Sequence, residues 1–315
     1  MSILLASTAD SANDWAAALA EFDLPLPLKV WPEMGDPNTV EYAVVAKPPA
    51  GLLASLPNLK AILSLWAGVD HITSDPDWPR HIPIYRMVEP GLTLGMVEFV
   101  LSQALNLHLG NYDFLENAGK RVWNNAMRGP YGREPLVQDR TVGILGLGEM
   151  GGNVAKGLVG AGFSVLGWAR SRKSIDGVDC LSGPDGFDGI LARSDILVNL
   201  LPLTPATDSI LNAACFAKMR QGAALINVGR GQHIVDEDMI DALDRGHLSR
   251  AVLDVFRVEP LPDGHAFWTH PKIVVYPHVG SITRIGSGTV ALAASIRKLV
   301  EGDAPDGLFD PGRGY

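Results

Sequence analysis

Three residues with complementary chemistry sit just past three apolar runs in the last third of the chain. Arg230 ends Ala-Leu-Ile-Asn-Val-Gly-Arg, Glu259 comes after Ala-Val-Leu-Asp-Val-Phe-Arg-Val, and His278 follows Ile-Val-Val-Tyr-Pro. Runs of this length and composition read as buried parallel strands. The carboxyl ends of such strands are where open α/β sheets bind ligands. A guanidinium there clamps an anion and polarises a carbonyl. A carboxylate favours imidazolium and fixes the ring, and imidazole donates a proton near neutral pH. Together they suit carbonyl reduction, given a source of hydride. Each residue also has a plainer reading: Arg230 as a surface charge, Glu259 as the start of a Glu-Pro turn, His278 as a core or helix-capping residue.

The hydride source is written upstream. Thr-Val-Gly-Ile-Leu runs into Gly146-Leu147-Gly148-Glu149-Met150-Gly151, a strand entering G-x-G-x-x-G. Gly146 permits the tight turn, Gly148 lets backbone approach a pyrophosphate, and Gly151 lets the following helix pack on the strand. The helix N-terminus then meets the phosphates with N–H groups and its positive dipole end. The next strand, Phe163–Trp168, leads into Ala169-Arg170-Ser171-Arg172-Lys173, with no carboxylate before Asp176. An NAD site places Asp or Glu near this point to bond the ribose hydroxyls. Three cations and a hydroxyl suit a 2′-phosphate instead. The stretch therefore points to NADP(H), with NAD(H) still possible; its plainer reading is a solvated basic loop.

Two series of elements must position these groups. The chain has 315 residues, 47% hydrophobic and 19% charged, enough for two domains with their own cores. In the first series, strands are expected at Ile3–Ala6, Leu28–Trp31, Tyr42–Ala46, Ala61–Leu65 and Ile84–Val88. A helix capped by Asp10 or Ser11 runs to Phe22. A long helical stretch, about Leu92 to Ala118, links the units, with Met96, Phe99, Val100 and Leu107 on one face. The segment Asn124–Asp139 reads as a loop. The second series has strands at 141–145, 163–168, 195–200, 223–227, 250–255 and 273–276. A last helix, Thr283–Val300, returns to the first unit, and a polar tail follows. The expected fold class is α/β: two Rossmann-like or flavodoxin-like doubly wound parallel-sheet domains with a cleft between them. The substrate domain is 1–101 with 283–315, and the dinucleotide-binding domain is 102–282.

Bulk properties exclude several classes. A net charge of -9 disfavours nucleic acid and anionic membrane as partners. The N-terminus reads as a strand, without the basic region of a signal peptide, and no apolar run approaches a membrane span. Two cysteines, Cys180 and Cys215, suit a reducing cytosol, so a cytoplasmic location is expected. His71, His81, His108, His233, His247, His265 and His270 show no metal-ligand spacing, and no metal is expected.

The sequence resembles the D-isomer-specific 2-hydroxyacid dehydrogenases. The segments that carry the likeness are the glycine loop, Leu200-Leu201-Pro202-Leu-Thr-Pro205, Ile226-Asn-Val228-Gly229-Arg230-Gly, Leu253-Asp254-Val-Phe, Glu259-Pro-Leu-Pro262 and Pro277-His278-Val. Within the family it is most similar to the bacterial NADPH-dependent glyoxylate/hydroxypyruvate reductase A branch. Trp168-Ala-Arg170-Ser-Arg172-Lys-Ser174, His278-Val-Gly-Ser-Ile-Thr-Arg284 and Arg313-Gly-Tyr315 carry that narrower likeness. The resemblance implies catalytic Arg230, Glu259 and His278, and reduction of small 2-oxo acids. It implies that Leu201, Pro202, Val228 and Gly229 border the cofactor and that Asp254 lies near its nicotinamide end. It implies a homodimer formed through the cofactor domain and the linker helix. Ser64-Leu-Trp66-Ala67-Gly68-Val-Asp70 looks like the family's carboxylate-binding loop, with the N–H groups of Ala67 and Gly68 as donors. Trp66 departs from the smaller residue common there and reshapes the pocket. Met96 reads either as pocket lining or as core, and Lys47 either as a cleft cation or as a solvated loop lysine. A related dehydrogenase for another D-2-hydroxy acid, and a dinucleotide-sensing binding protein of the same fold, remain as alternatives.

Overall fold

The computed structural model describes residues 1–124 and 135–311. Most of the expected Asn124–Asp139 loop, and Arg313-Gly-Tyr315, lie outside the described residues. The chain divides into two compact units, Met1–Leu92 with Ile282–Tyr315, and Thr93–Ser281. The divisions thus fall after Leu92 and Ser281, where 101 and 282 were expected.

The smaller unit holds strands β1 (Ser2–Ser7), β2 (Leu28–Val30), β3 (Val40–Ala46), β4 (Ala61–Ser64) and β5 (Ile84–Tyr85), with helices α1 (Ala12–Leu19) and α2 (Asp70–Thr73). The sheet order is β2-β1-β3-β4-β5, and every pairing is parallel. This is the flavodoxin-like order, in which the strand sequence reverses between β1 and β3. Ser11 caps α1 by accepting from the Asp14 N–H, as its position predicts, but the helix stops at Leu19 and does not reach Phe22. The C-terminal helix, Ile285–Glu301, packs on α1: a Cβ on Gly288 would lie 2.7 Å from the Trp15 ring. The tail after it does more than trail in solvent. It bonds to the rim of β5 through Arg86 N–H to Gly307 C=O and Phe309 N–H to Ile84 C=O, and Phe309 is buried. β5 itself is two residues long, where five were expected.

The larger unit begins in the linker, which is two helices, α3 (Pro90–Leu109) and α4 (Asn111–Gly119). Gly110 separates them with φ of 70°, a left-handed turn that glycine adopts without steric cost. By length and composition α3 could cross a membrane, with mean hydropathy 1.2. Its Val100 and Ala104 are instead fully buried in the unit's own core. Then follow β6 (Thr141–Leu145), α5 (Glu149–Gly160), β7 (Ser164–Ala169), β8 (Val178–Ser182), α6 (Gly183–Arg193), β9 (Ile196–Asn199), α7 (Ala213–Lys218), β10 (Ala223–Asn227), α8 (Asp236–Asp244), β11 (Leu248–Leu253) and β12 (Ile273–Val275). The parallel sheet has the order β12-β11-β10-β9-β6-β7-β8, the doubly wound order with its switch point between β6 and β9. Consecutive strand residues feed two cores. Ile144, Val198, Ile226 and Val252 pack with α3 and α5, whereas Leu145, Leu197, Leu225 and Leu253 pack with α6, α7 and α8. This two-residue alternation across a sheet buried on both faces explains why its strands read as unbroken apolar runs. The edge strand β8 was not anticipated, because Val-Asp-Cys-Leu-Ser is half exposed and carries no such run.

Candidate active site

All strands of the larger sheet are parallel, so their carboxyl ends share one edge. The loops after β6, β9, β10, β11 and β12 therefore collect there, and each carries residues singled out above. Gly146 leaves β6 with φ of 99°, and a Cβ on it would lie 2.7 Å from the Leu200 carbonyl oxygen. A Cβ on Gly151 would lie 1.8 Å from the Gly146 carbonyl oxygen, so α5 can seat against the turn only with glycine there. Gly148 differs from both. It caps α5 without a side-chain bond and faces nothing within 4 Å. An open face beside the orphan N–H groups of a helix start is what a pyrophosphate requires. The glycine loop fits a dinucleotide on this observation. Leu147 is different again: its side chain is buried against Gly167 of β7, leaving only its main chain to meet a ligand. Glu149 is exposed and Met150 half-buried in the first turn of α5.

Arg170, Ser171, Arg172 and Lys173 follow β7 directly, and all four are exposed. They occupy the second-strand end expected for ribose recognition. Leu201 and Pro202 follow β9; Val228, Gly229 and Arg230 follow β10. The Arg230 guanidinium is half-buried, and its Nη1 donates to the Gly229 carbonyl oxygen at 2.7 Å.

Glu259 and His278 meet. Glu259 Oε2 lies 2.7 Å from His278 Nδ1, while Oε1 accepts the Phe256 N–H at 2.9 Å. Burial pushes the Glu259 carboxyl up. The His278 bond, the Phe256 N–H and the positive charges of His278 and Arg230 together outweigh it, so the group ionises below its ordinary value. With Nδ1–H committed to Glu259, the opposite nitrogen, Nε2, is the one that can deliver a proton. His278 holds a left-handed backbone, φ 56°, which is costly for a residue with a Cβ. Asp254, almost fully buried at the end of β11, braces the next two residues. Its Oδ1 accepts the Val279 N–H at 2.8 Å and its Oδ2 the Gly280 N–H at 2.9 Å. Burial raises the Asp254 carboxyl, opposed by those two N–H bonds.

In the smaller unit, Ser64-to-Asp70 forms a tight turn after β4. Ser64 Oγ donates to the Trp66 carbonyl at 2.8 Å and accepts the Trp66 N–H at 3.0 Å. Among the described residues, the N–H groups of Ala67 and Gly68 have no protein acceptor. Trp66 is fixed by its Nε1–H to Asp10 Oδ2 at 2.8 Å and by an edge contact to His71 at 4.6 Å. Lys47 follows β3 and is exposed, with φ of 48°. Met96 is buried among Val100, Ala104 and Ile144, so its side chain belongs to the larger unit's core.

A model of the D-isomer-specific 2-hydroxyacid dehydrogenase NAD-binding domain matches residues 101–280. The chain belongs to the D-isomer-specific 2-hydroxyacid dehydrogenase family. A glyoxylate/hydroxypyruvate reductase A of Serratia proteamaculans is 37% identical over 313 residues, covering 97% of each chain. One of Yersinia enterocolitica is 34% identical over 310 residues, 96% of each. A family dehydrogenase from Xanthobacter autotrophicus, solved with NADPH and MES, superposes with TM-score 0.92 at 35% identity, covering 100% of this chain and 99% of its own. The NADPH-dependent glyoxylate/hydroxypyruvate reductase of Sinorhizobium meliloti, solved with NADP and sulfate, gives 0.91 at 34% identity over the whole of both chains. Sequence reasoning picked out the residues with a charge or a glycine signature that the structure collects at the carboxyl ends of the larger sheet's strands. It missed Asn199 and Asn227, and it set His233 aside with the other histidines. All three are fully buried at this same sheet edge. The only sequence signal for the asparagines was a polar residue closing an otherwise apolar strand.

Proposed function

We propose that the protein reduces small 2-oxo acids, glyoxylate and hydroxypyruvate foremost, to D-2-hydroxy acids with NADPH. The observation that carries this reading is the 2.7 Å Glu259–His278 pair at the sheet edge that also bears the dinucleotide loop. The activities and ligands in the relatives' names support it. When bound, NADPH supplies a hydride for the carbonyl carbon. His278 hands the proton on Nε2 to the carbonyl oxygen, and Glu259 steadies the imidazolium beforehand and fixes the ring. Arg230 holds the substrate carboxylate and polarises the carbonyl. In the smaller unit, the N–H groups of Ala67 and Gly68 are donors for a carboxylate. The Gly146–Gly151 loop takes the pyrophosphate, and Arg170, Ser171, Arg172 and Lys173 take the 2′-phosphate. Leu201, Pro202, Val228 and Gly229 border the cofactor, and Asp254 sits at its nicotinamide end.

Purified protein with NADPH and glyoxylate should consume nicotinamide absorbance, faster than with NADH. His278→Ala should abolish turnover while NADPH still binds. NADPH binding without turnover on any of a broad set of 2-oxo acids would overturn the enzymatic reading in favour of a dinucleotide sensor. We also propose a cytosolic homodimer. Leu115, Val122 and Trp123 are all exposed, Trp123 to 95%, on and just after α4. Clustered apolar exposure of this kind marks an interface. Light scattering on Trp123→Ser should report a smaller species than the native chain.

A further inference from the structure

Asn199 ends β9 and Asn227 ends β10, and the two face each other in register across the parallel pair. Asn199 Nδ2 donates to Asn227 Oδ1 at 2.8 Å and lies 2.8 Å from His233 Nδ1. His233 Nδ1 also accepts the Arg230 N–H at 3.1 Å, and Nε2 lies 3.3 Å from the Pro202 carbonyl oxygen. The partners fix the roles of the ring. A backbone N–H can only donate and a carbonyl can only accept, so Nδ1 is the acceptor and Nε2 carries the hydrogen. The amides are equally committed. Asn199 Oδ1 accepts the Leu201 N–H at 3.2 Å, Asn227 Oδ1 accepts the Gly229 N–H at 3.2 Å, and Asn227 Nδ2 donates to the Arg230 carbonyl at 3.0 Å.

Arg230 is thus held by both polar groups of its own main chain, the N–H by His233 and the C=O by Asn227. The same cluster holds Leu201 and Pro202 on the neighbouring loop. All three side chains are fully buried, where leaving a polar group without a partner is costly and a satisfied network selects one arrangement.

We infer that Asn199, Asn227 and His233 form a positioning set that fixes the backbone of Arg230 and ties it to the Leu201–Pro202 loop. The two nitrogens of His233 divide the labour: Nδ1 sets the guanidinium for the substrate carboxylate, and Nε2–H sets the cofactor-side loop. This rests on the reading of Arg230 as the carboxylate clamp. Fully buried, the set acts through Arg230 and Pro202.

Two variants of His233 separate the nitrogens. His233→Asn keeps an acceptor near Nδ1 and loses the donor to Pro202. His233→Gln places an amide near Nε2 and leaves a methylene where Nδ1 stood. Steady-state kinetics with glyoxylate, and NADPH affinity by fluorescence quenching, read the two arms. H233Q, which removes the acceptor of two buried bonds, should raise the glyoxylate KM at least ~10-fold with NADPH affinity within about twofold, no less than the size expected for losing one such bond. H233N should show the reverse, a glyoxylate KM within about threefold and weaker NADPH binding. Asn227→Leu, similar in volume and lacking the bond to the Arg230 carbonyl, carries the H233Q expectation and serves if that variant does not fold. Parallel losses in both parameters for both variants, or an unchanged glyoxylate KM in H233Q and Asn227→Leu, would overturn the inference. Arg230→Ala is measured alongside. If it too leaves the glyoxylate KM unchanged, the clamp reading has failed; if it raises KM and the network variants do not, only the positioning inference has failed.

Discussion

Replacing Asp254 with alanine should slow catalysis without removing any group that meets the substrate. His278 sits at φ 56°, and the left-handed region costs a residue with a Cβ about 1–2 kcal/mol. What opposes that cost is the Asp254 carboxylate, through its bonds of 2.8 and 2.9 Å to the Val279 and Gly280 N–H groups. Bonds to a charged acceptor contribute about 1.5–3 kcal/mol each, more than the strain they hold. Without them His278 relaxes toward an ordinary conformation, and the Nε2 proposed as the proton donor is in place only part of the time. Losing about 1–2 kcal/mol of that preference lowers kcat about 5- to 30-fold, at 1.36 kcal/mol per factor of ten. Asp254→Asn keeps one acceptor and should fall between. Gly280→Ala is an independent route, since its Cβ would lie 2.7 Å from Asp254 Oδ2. Stopped-flow single turnovers with saturating NADPH and glyoxylate isolate this step from cofactor binding. A folded Asp254→Ala enzyme whose single-turnover rate stays within twofold of the native one would refute the reasoning.

Three further tests address other parts of the site. Gly151→Ala, with its Cβ 1.8 Å from a backbone oxygen, should destabilise by about 3 kcal/mol or more in denaturant unfolding, whereas Gly148→Ala, with nothing within 4 Å, should unfold almost normally yet bind NADPH poorly. Arg170→Ala/Arg172→Ala should cut the preference for NADPH over NADH about 10- to 100-fold in kcat/KM, the worth of one or two charge-assisted phosphate bonds; an unchanged ratio would return the stretch to a solvated loop. Glu259 ionises below its unfolded value near 4.5, so its stabilisation is present above that pH and fades as pH falls through the folded value. The pair is partly exposed, so the effect is held to less than ~1 kcal/mol, and Glu259→Gln should flatten the stability profile in that acid range.

The sequence carried the architecture because sheets buried on both faces write themselves as apolar runs. Ala223–Asn227 and Leu248–Leu253 are legible for that reason, and β8 is not, since an edge strand with Asp179 and Ser182 follows no such rule. The break in the linker had a visible cause, Gly110, but a glycine inside an apolar helical pattern also reads as tolerated. At the candidate site, charge and glycine spacing were legible, because few residue types can do the chemistry proposed for Arg230, Glu259, His278 and the Gly146–Gly151 loop. The buried amide cluster was not, because Asn199, Asn227 and His233 act through hydrogen bonds whose partners are backbone groups of neighbouring loops. No spacing along the chain encodes that.

The loops at this edge are built against one another. A Cβ on Gly231 would lie 1.9 Å from the Phe256 carbonyl carbon, and one on Gly146 would lie 2.7 Å from the Leu200 carbonyl oxygen. The loop after β10 is thus pressed onto the loop after β11, and the loop after β6 onto that after β9. Hydrogen bonds make the remaining links: His233 to Pro202, Asp254 to Val279 and Gly280, and Glu259 to His278. Close contact and shared partners are the conditions under which substitutions stop adding. His233→Gln and Asp254→Ala disturb opposite ends of this chain of contacts. Were the ends independent, their effects on kcat/KM for glyoxylate would multiply. Because Gly231 locks the Arg230 loop to the strand β11 loop that begins at Asp254, the double variant should lose less than the product, by about threefold or more for a coupling above ~0.6 kcal/mol. A strictly multiplicative double variant would mean that the carboxylate clamp and the proton donor are positioned separately.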